Sequence, residues 1–557
     1  MALRTSSPAY SIVWTLLVGL GIVLATEFLR RAWRARRYMR MLQKQGLPMP
    51  PHNILLGHLG LAASVQKTLP SDAHGHYLAD QIRQRYPDLG PTFYLDLWPF
   101  SDPMLVVTDP DVIAQFCAPD HLLPKHPGVK TFMYPITGGY DLNCLDGETW
   151  KFWRKLFNPG FSAGHMQSLV PTIVEEVAIF RKDLFRRAQE GEVFPFEGHA
   201  LSLAIDVIGR VALDTKLNIQ GRTNPWISAL LHQRQWAAFG LEMGIWMLIN
   251  PMRYYHMWNN RRIMDKYINR DLDNRYSAMQ GDTKSKTIID LALSGYKSEG
   301  SSTSNAAGAL DPVFRKYAQS QMKVFIFAGH DTTSTTICYA WLLLSRNPDA
   351  MAKIRAEHDA VLGPDPEKAA SMLSKDPALL NQLTYTLAVI KETLRVFPVV
   401  SSPRGGLRDF ILTDSQGHRY PTERCLVWAV HHGLHHNPLW WPQVDKFIPE
   451  RFLSDQDRPE ELRPPKNAWR PFEIGPRACI ATELVMTELK IVLALTVRDF
   501  ELKEAFDEWD RMNKPRGVKT VDGERAYQIQ LGSAHPVDGL PVRISARQMP
   551  DVQNLKS

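Results

Sequence analysis

The most apolar part of this chain lies at its beginning. From Thr5 to Thr26 the sequence has no charged residue and is rich in Ile, Val, Leu and Ala. As an α-helix this segment would be about 33 Å long, which is enough to cross a bilayer. A cluster of arginines follows it, at positions 30, 31, 34, 36, 37 and 40. We therefore expect a transmembrane helix that leaves the rest of the chain in the cytosol.

The alternative interpretation of this segment is a cleaved signal peptide, whose apolar region is shorter and ends in small residues before a cleavage site. We expect a permanent single-pass anchor instead. The chain is accordingly divided into residues 1–45, the anchor with its basic flank, and residues 46–557, one large domain. Between them, the proline-rich segment Leu47–Pro51 predicts a stiff extended connection.

Downstream of this connection, the pattern predicts a mainly α protein with small β-sheets. Thr92–Trp98 and Met104–Thr108 are typical strands, each bounded by Gly, Pro or Asp. Leu169–Arg186 and Leu201–Leu217 carry apolar residues at helical spacing and are interpreted as scaffold helices. Near the end of the chain, a further strand is expected at Gly539–Ile544.

One predicted helix is exceptionally long. Asp311 and Pro312 suit an N-cap and a first helical position, and no proline follows until Pro348. The helix could therefore extend to residue 346, about 52 Å. Its interior, Ala328–Thr336, contains glycine and clustered threonines, which are poor helix formers. Such a local violation is typical of a functional site, although a bend with hydroxyls bonded to carbonyls is the plainer explanation.

Composition and charge narrow the class of protein. Although the chain has 557 residues, no Pro/Gly/Ser linker separates two cores, so one large domain is expected. Its five cysteines show no C-x-x-C spacing, which disfavours a disulfide scaffold or a structural zinc site and favours a reducing compartment. The net charge of +7 is modest and partly clustered before the domain. We therefore expect no nucleic-acid partner.

The strongest chemical signal is the segment Phe472–Cys479, with the sequence FEIGPRAC, which precedes a helix-like run from Ile480 to Phe500. Gly475 permits a positive φ and the next proline fixes a dihedral angle, so the loop can present its cysteine outward. The start of a helix stabilises a thiolate and lowers its pKa. Arg477 adds a nearby cation. A buried structural cysteine is the alternative interpretation.

This segment resembles the haem-binding signature F-x-x-G-x-R-x-C of the cytochromes P-450. The resemblance implies that Cys479 is the axial ligand of the haem iron and that Phe472, Gly475 and Arg477 shape its site. The chain departs from the family pattern at Ala481, where glycine is usual. Ala328–Thr333 similarly resembles the family's A-G-x-D-T-T signature, in which Asp331 and Thr332 relay protons and the glycine lets the helix open.

Two further motifs match the family in order and spacing. Trp150 and Arg154 are four residues apart on a predicted helix, and the resemblance gives them to the haem propionates. An arginine packed on a core tryptophan is the alternative. Glu392, Arg395 and Arg451 resemble the family's Glu/Arg/Arg network, to which we assign a structural role on the proximal side.

Several features are less specific. Arg404 is a candidate for a propionate contact, although its offset differs by one residue from some members of the family. The histidines at 431, 432, 435 and 436 could suggest a metal site, but their surroundings favour a structural role. The aromatic stretch Trp226–Trp258 is either core or, by resemblance, a roof over the substrate pocket. A hairpin near Ala534–Val537 is expected to border that pocket.

The resemblance implies a cytochrome P-450 fold preceded by one transmembrane helix, with residues 46–557 as a haem-thiolate catalytic domain. It further implies haem b as cofactor and insertion of one oxygen atom of dioxygen into an apolar small molecule. Because no dinucleotide-binding fingerprint is evident, electrons are expected from a separate NADPH-cytochrome P-450 reductase. The expected location is the endoplasmic reticulum membrane, in contact with membrane lipid.

The sequences of these motifs are similar to those of fungal secondary-metabolite monooxygenases. Two other functions remain open at this point. A thiolate-haem isomerase or dehydratase would share the cysteine loop but act without dioxygen, and the Asp331–Thr332 pair argues against it. A non-catalytic haem-binding sensor would share the fold, and dependence of turnover on NADPH would exclude it.

Overall fold

The computed structural model describes residues 8–237, 249–279, 287–299, 310–514 and 517–547. Two expectations fall wholly or partly outside these ranges. The middle of the aromatic stretch, residues 238–248, is not among the described residues, and neither is the segment Gly300–Gly308, whose Ser, Asn and Ala content predicts a flexible loop. The described residues form a mainly helical protein with four small sheets, as predicted.

The helices are numbered here in chain order over the described residues. They are α1 Pro8–Lys44, α2 Leu59–Gln66, α3 His76–Arg85, α4 Pro110–Gln115, α5 Pro127–Thr137, α6 Gly147–Phe157, α7 Ala163–Ser168, α8 Val170–Glu190, α9 Phe196–Leu213, α10 Pro225–Trp236, α11 Pro251–Met279, α12 Ile288–Ser298, α13 Pro312–Arg346, α14 Pro348–Leu362, α15 Pro366–Lys375, α16 Thr384–Val396, α17 His431–His435, α18 Thr482–Thr496 and α19 Phe506–Asn513.

The strands are short. They are β1 Thr92–Leu95, β2 Met104–Val107, β3 Phe194–Pro195, β4 Ser402–Gly405, β5 Ile411–Thr413, β6 Arg419–Pro421, β7 Leu426–Ala429, β8 Phe500–Glu504, β9 Gln528–Leu531, β10 Ser533–Pro536 and β11 Pro541–Ala546.

Four sheets result from these strands. The largest has the order β1-β2-β7-β4, in which β2 and β7 are parallel and the other pairs antiparallel. β11 lies between β3 and β8, while β9 pairs with β10 and β5 with β6. The predicted strands at 92, 104 and 539 are confirmed as β1, β2 and β11. The hairpin expected near Ala534 is β9–β10.

Helix α13 crosses the centre of the molecule with the predicted bounds. The Asp311 carboxylate accepts a hydrogen bond from the Phe314 amide at 2.8 Å, and Pro312 occupies the first turn, so the local sequence defines its start. Most side chains of α13 are buried, and the helix packs closely on α9. Since α9 is also largely apolar all round, the two helices form the middle of the main core.

Helix α1 extends well beyond the apolar segment that predicts it. Residues Ile12–Lys44 include a stretch long and apolar enough to span a membrane, and the side chains of that stretch are exposed. Near its C-terminal end, however, Met39 and Leu42 are fully buried in a second core formed with β1, β2 and β7. Arg36, which the sequence places in a basic flank, is buried and paired with Asp96. The division at residue 45 stays a prediction.

The proline-rich connection after α1 lies against the domain. The Pro48 carbonyl accepts a hydrogen bond from the Tyr94 amide at 2.9 Å, and the Pro50 carbonyl accepts one from His58 Nε2 at 3.0 Å. His58 Nδ1 in turn accepts from the Asp96 amide at 2.8 Å. These bonds fix the segment to the edge of the largest sheet.

Candidate active site

The loop that carries Cys479 is a tightly closed turn. The Cys479 amide donates to the Phe472 carbonyl at 2.8 Å, and the Ala478 amide donates to the Gly475 carbonyl at 3.0 Å. Gly475 has a φ of +79°, and a Cβ added there would overlap the backbone carbonyl of Cys117. The expected positive φ is therefore confirmed, and the neighbouring chain segment gives glycine a second, steric reason.

Cys479 differs from the other cysteines of the chain in being open to solvent. The side chains of all five lie in the described ranges, and those of Cys117, Cys144, Cys338 and Cys425 are buried. This difference contradicts the interpretation of Cys479 as a buried structural cysteine. An accessible sulfur within a large core is suited to hold a ligand that enters the protein.

The protonation of Cys479 differs from the expectation. Burial of its surroundings raises the pKa of the thiol, and this outweighs the Ala481 amide, Arg154 and the Thr482 hydroxyl, which lower it. Helix α18 starts at Thr482, three residues later than the cysteine, and ends at Thr496, so the predicted helix to Phe500 was too long. The protein alone thus favours the thiol, and coordination of a cation would have to stabilise the thiolate.

The substitution at Ala481 is tolerated by the backbone. Its φ is −94°, an ordinary value for any residue, and it acts as the N-cap of α18. Glycine is therefore not required at this position by backbone geometry.

Behind the loop, Glu473 is an anchor that the sequence analysis missed. Its carboxylate accepts from Arg470 Nη2 at 2.6 Å and pairs with His431 Nε2 at 3.0 Å. Burial alone would raise the pKa of Glu473, but the bonds and charges of His431 and Arg470 hold it well below the usual range. Glu473 also has a positive φ of 57°, so a second residue of this loop adopts the left-handed conformation.

A concentration of cations lies beside the loop. Arg404 is completely buried, yet none of its three guanidinium nitrogens has a hydrogen-bond partner among the described residues. Burial, together with the charges of Arg404 and Arg477, lowers the pKa of Lys125 to about 7. An unpaired buried guanidinium is costly unless an anion completes the site. The cluster therefore fits a ligand that carries acidic groups.

The predicted Trp150 and Arg154 join this cluster on helix α6. The guanidinium of Arg477 lies 4.1 Å from the centroid of the Trp150 ring, and Arg477 Nη2 pairs with Asp146 at 2.5 Å. Arg154 donates from Nε to Asn158 at 2.8 Å. Its charge acts on the Cys479 thiol, so helix α6 and the cysteine loop border the same site.

Helix α13 presents a short accessible window in an otherwise buried stretch. Ala328 is exposed and Gly329 and Thr332 are partly exposed, while their neighbours on both sides are buried. Because residues four apart share a helix face, Ala328 and Thr332 form one accessible surface. The Thr332 hydroxyl donates to the Ala328 carbonyl at 3.0 Å. α13 packs against α18, the helix that follows Cys479.

Gly329 has a packing role. A Cβ at this position would approach Ile208 Cγ1 to 2.9 Å, so glycine lets α9 and α13 lie close together. The helix passes through this position without a break, because α13 is continuous from Pro312 to Arg346. The structure thus explains Gly329 by helix packing, not by an opened helix.

Asp331 lies in a polar network with groups of α10 and β10. Its carboxylate pairs with Arg234 Nη1 at 2.6 Å and His535 Nε2 at 3.1 Å, and accepts from the Ser533 amide at 3.1 Å. Burial alone would raise the pKa of Asp331, but the charges of His535 and Arg234 hold it well below its usual range. The residue is a buried carboxylate fixed by two cations.

The three residues of the Glu/Arg/Arg motif lie in contact with one another. Arg395 makes two 2.8 Å bonds to the Glu392 carboxylate, and Arg451 Nε lies 3.4 Å from the same carboxylate. All three side chains are fully buried. Arg395 also donates to the carbonyls of His435, Val444 and Lys446, so the network ties α16 to the chain that leads to the cysteine loop.

The four clustered histidines each have protein contacts. His431 binds Glu473, His432 stacks between His76 and His436, and His435 Nε2 accepts from the Arg470 amide at 3.1 Å. These contacts support the structural role expected for them.

Comparisons with known proteins decide the family. The cytochrome P450 family model matches residues 48–530. The chain belongs to the cytochrome P450 family. It is 44% identical over 94% of both chains to cytochrome P450 monooxygenase polC of Polytolypa hystricis, and 33% identical to cytochrome P450 monooxygenase acrF of Aspergillus aculeatus, over 87% of this chain and 100% of the relative.

Solved structures agree on the fold. The heme domain of cytochrome P450DA superposes with a TM-score of 0.69 at 20% identity, covering 90% of this chain and 97% of that structure. The chain is thus a cytochrome P450 monooxygenase, an oxidoreductase whose family implies a haem cofactor, a redox partner, dioxygen and an organic substrate. Its accessible cysteine and the unpaired Arg404 fit such a cofactor, which combines an iron centre with two propionates.

Sequence reasoning missed part of this cytochrome P450 site. Lys125 and Arg470 lie outside the motifs, and Glu473 occupies an unspecified position of the cysteine segment, so only its place there could have indicated its role. Arg234 and His535 carry no local signal either, because they approach Asp331 from distant parts of the chain.

Proposed function

We propose that this protein is a membrane-anchored haem-thiolate monooxygenase that binds haem b through Cys479 and inserts one oxygen atom of dioxygen into an apolar organic substrate. The observation that carries this proposal is the combination of the solvent-accessible Cys479 with the buried, unpaired Arg404. A bound haem would supply the activation of dioxygen, favoured by the electron-donating thiolate.

The chain's own residues would prepare the site for this chemistry. The Phe472 carbonyl and Gly475 hold the loop so that Cys479 faces the cofactor. The propionates would be received by Arg404, Arg477, Arg154 and the Trp150 indole. Thr332, on the accessible face of α13, would hold a proton on its hydroxyl near the reacting oxygen, and Asp331 would supply that proton from the interior.

The buried Glu392–Arg395–Arg451 network would keep the proximal side rigid without taking part in the chemistry. The buried ion pairs of this network would hold the surrounding chain segments in place, because removal of one partner leaves an uncompensated buried charge. Electrons would come from NADPH-cytochrome P-450 reductase, docking on the side of the cysteine loop.

Helix α1 supports a location in the endoplasmic reticulum membrane with the catalytic domain in the cytosol. Its apolar part would contact membrane lipid, and its basic flank would remain on the cytosolic side. Tyr255 and Trp258, in the described part of the aromatic stretch, are exposed, whereas Trp226 is buried. These two exposed aromatic side chains are therefore suited to contact a membrane surface. The similarity to fungal monooxygenases supports a role in secondary metabolism.

The proposal is tested by the absorption spectrum of the reduced, carbon-monoxide-bound protein. We expect a strongly red-shifted Soret band that is lost in Cys479→Ala and retained in Cys425→Ala, a buried cysteine outside the loop. A Soret band at the position typical of a neutral ligand would refute thiolate ligation. Substrate turnover that requires neither NADPH nor dioxygen would favour an isomerase or dehydratase instead.

A further inference from the structure

A buried histidine lies between two carboxylates on the far side of Asp331. His535, on β10, has a side chain that is 1% exposed. Its Nδ1 is 2.5 Å from Glu197 Oε1 on α9, and its Nε2 is 3.1 Å from Asp331 Oδ1 on α13. One imidazole thus joins the predicted catalytic carboxylate to a second carboxylate from a different helix.

The two contacts determine the charge of the imidazole. A carboxylate accepts hydrogen bonds, so the imidazolium form, with a proton on each ring nitrogen, satisfies both partners. Burial alone would lower the pKa of His535, but Asp331 and Glu197 raise it to about 9. His535 is therefore in its charged imidazolium form at neutral pH.

The positive and negative charges of this cluster, that of His535 included, balance each other. Burial lowers the pKa of His330 to about 4 and that of His74 to about 3, so both are neutral. Arg234 is the second cation at Asp331. The titratable and charged side chains that face His535 from the described elements are Asp331 and His330 of α13, Glu197 of α9, Arg234 of α10 and His74 before α3.

Within the cluster, Glu197 is more exposed than His535 and Asp331. The Glu197 side chain is 14% exposed, that of His535 is 1% and that of Asp331 is 2%. Glu197 thus touches solvent at one end, while Asp331 immediately precedes Thr332, whose side chain belongs to the accessible window of α13. The Ser533 amide and hydroxyl bind Asp331 and His535 respectively, which fixes the geometry.

We propose that His535 is a positioning residue that acts through Asp331, as its proton donor during oxygen activation, with Glu197 holding His535 in the charged form. In this step the Nε2–H bond breaks and the proton passes through Asp331 Oδ1 and the Thr332 hydroxyl to the reacting oxygen, so the step ends with the Asp331 carboxylate and a neutral imidazole that keeps its Nδ1 proton. Water returns the lost proton between turnovers. This inference rests on the proposed monooxygenase function.

The first test measures protonation directly. Holoenzyme labelled with ¹⁵N-histidine is reduced, bound to carbon monoxide and titrated by NMR, with His535→Gln used to assign the signal. We expect His535 to be charged at pH 7 and to titrate near pH 9. In Glu197→Gln its pKa should fall by at least about 1 unit, because one of two adjacent anions is removed. A neutral His535 at pH 7 in the parent would overturn the proposal.

The second test measures turnover as NADPH consumption with purified reductase across pH. Because His535 donates only when charged, the rate should be high below its pKa and fall as pH rises through about 9. In Glu197→Gln the pH at which the rate falls, the alkaline limb of the profile, should be lower. The difference should equal the decrease in the pKa of His535 measured by NMR. His535→Gln should slow consumption about 10-fold or more, since positioned proton donors contribute at least ~10²-fold.

The matched control is His199→Gln, another histidine of α9 paired with a carboxylate, Asp183, at 2.5 Å. It should change neither the titration nor the alkaline limb. Equal behaviour of Glu197→Gln and His199→Gln would refute the assignment, even if His535→Gln fails to fold. The carbon-monoxide spectrum distinguishes failure of the proposed function from failure of this inference. Absence of the thiolate band in the parent refutes the proposed function. A normal band, with the same pH profile in the parent and in Glu197→Gln, refutes only the role of His535.

Discussion

Replacement of Gly475 by alanine tests the account of the cysteine loop most directly. The substitution adds one methyl group and introduces two separate costs. The φ of +79° is unfavourable for an L-residue, and the new Cβ would overlap the Cys117 carbonyl. Because the obstacle is backbone and not the end of a flexible side chain, either the loop or the segment around Cys117 must move.

The magnitude follows from these two costs. A left-handed conformation costs a non-glycine residue about 1–2 kcal/mol. Overpacking a filled site adds about 1–3 kcal/mol. We therefore expect Gly475→Ala to lower the free energy of unfolding by about 2–5 kcal/mol. Gly417 has a φ of +85° with nothing within 4 Å of an added Cβ, so Gly417→Ala should lose only the first part.

The assay is urea denaturation of the haem-bound protein, followed by the Soret absorbance, with the carbon-monoxide spectrum recorded at zero urea. The difference between the two variants isolates the steric contribution, provided that the dependence on urea concentration is unchanged. We expect Gly475→Ala also to lose part of its thiolate band, since the loop positions the sulfur. Equal destabilisation of the two variants, or an intact band with full stability in Gly475→Ala, would refute the reasoning.

Three further predictions concern the surrounding residues. Arg404→Leu should weaken haem retention by about 100-fold, since the loss of a buried ionic partner costs several kcal/mol; transfer of haem to an acceptor protein measures it, and unchanged retention would contradict the propionate role. Glu392→Gln should destabilise the fold by about 3–5 kcal/mol, whereas exposed Glu148→Gln should have little effect in the same urea assay. Thr332→Ala should keep the thiolate spectrum but release about 10-fold more hydrogen peroxide per NADPH, and unchanged release would exclude a proton role.

Local sequence was sufficient where local bonds define the structure. Asp311 and Pro312 at one end and Pro348 beyond the other predicted the bounds of α13, because caps and proline act within one turn. The local sequence equally indicated that position 475 needs a residue that can adopt a positive φ. The steric contact with Cys117 was not, since that residue lies more than 350 positions earlier in the chain.

Long-range pairing escaped prediction for the same reason. Asp331 was expected to relay protons, but no local pattern indicated that Arg234 and His535 would bind it from α10 and β10. Arg36 was counted with the basic flank, whereas Asp96 draws it into the protein. In both cases the contacts of a charged side chain depend on a partner that is remote in sequence. The spacing of apolar and polar residues along the chain does not indicate such partners.

The continuity of α1 has a consequence for how the protein is oriented. One helix of 37 residues, about 55 Å long, begins in the apolar segment and ends in a packed core at Met39 and Leu42. Under the proposed membrane anchoring, this continuous helix is a rigid connection, so its tilt in the bilayer fixes the angle at which the domain faces the membrane. One residue inserted between the two parts would turn the domain by about 100° around the helix axis. The register of this helix thus selects which face of the enzyme meets the lipid and which remains open to a reductase.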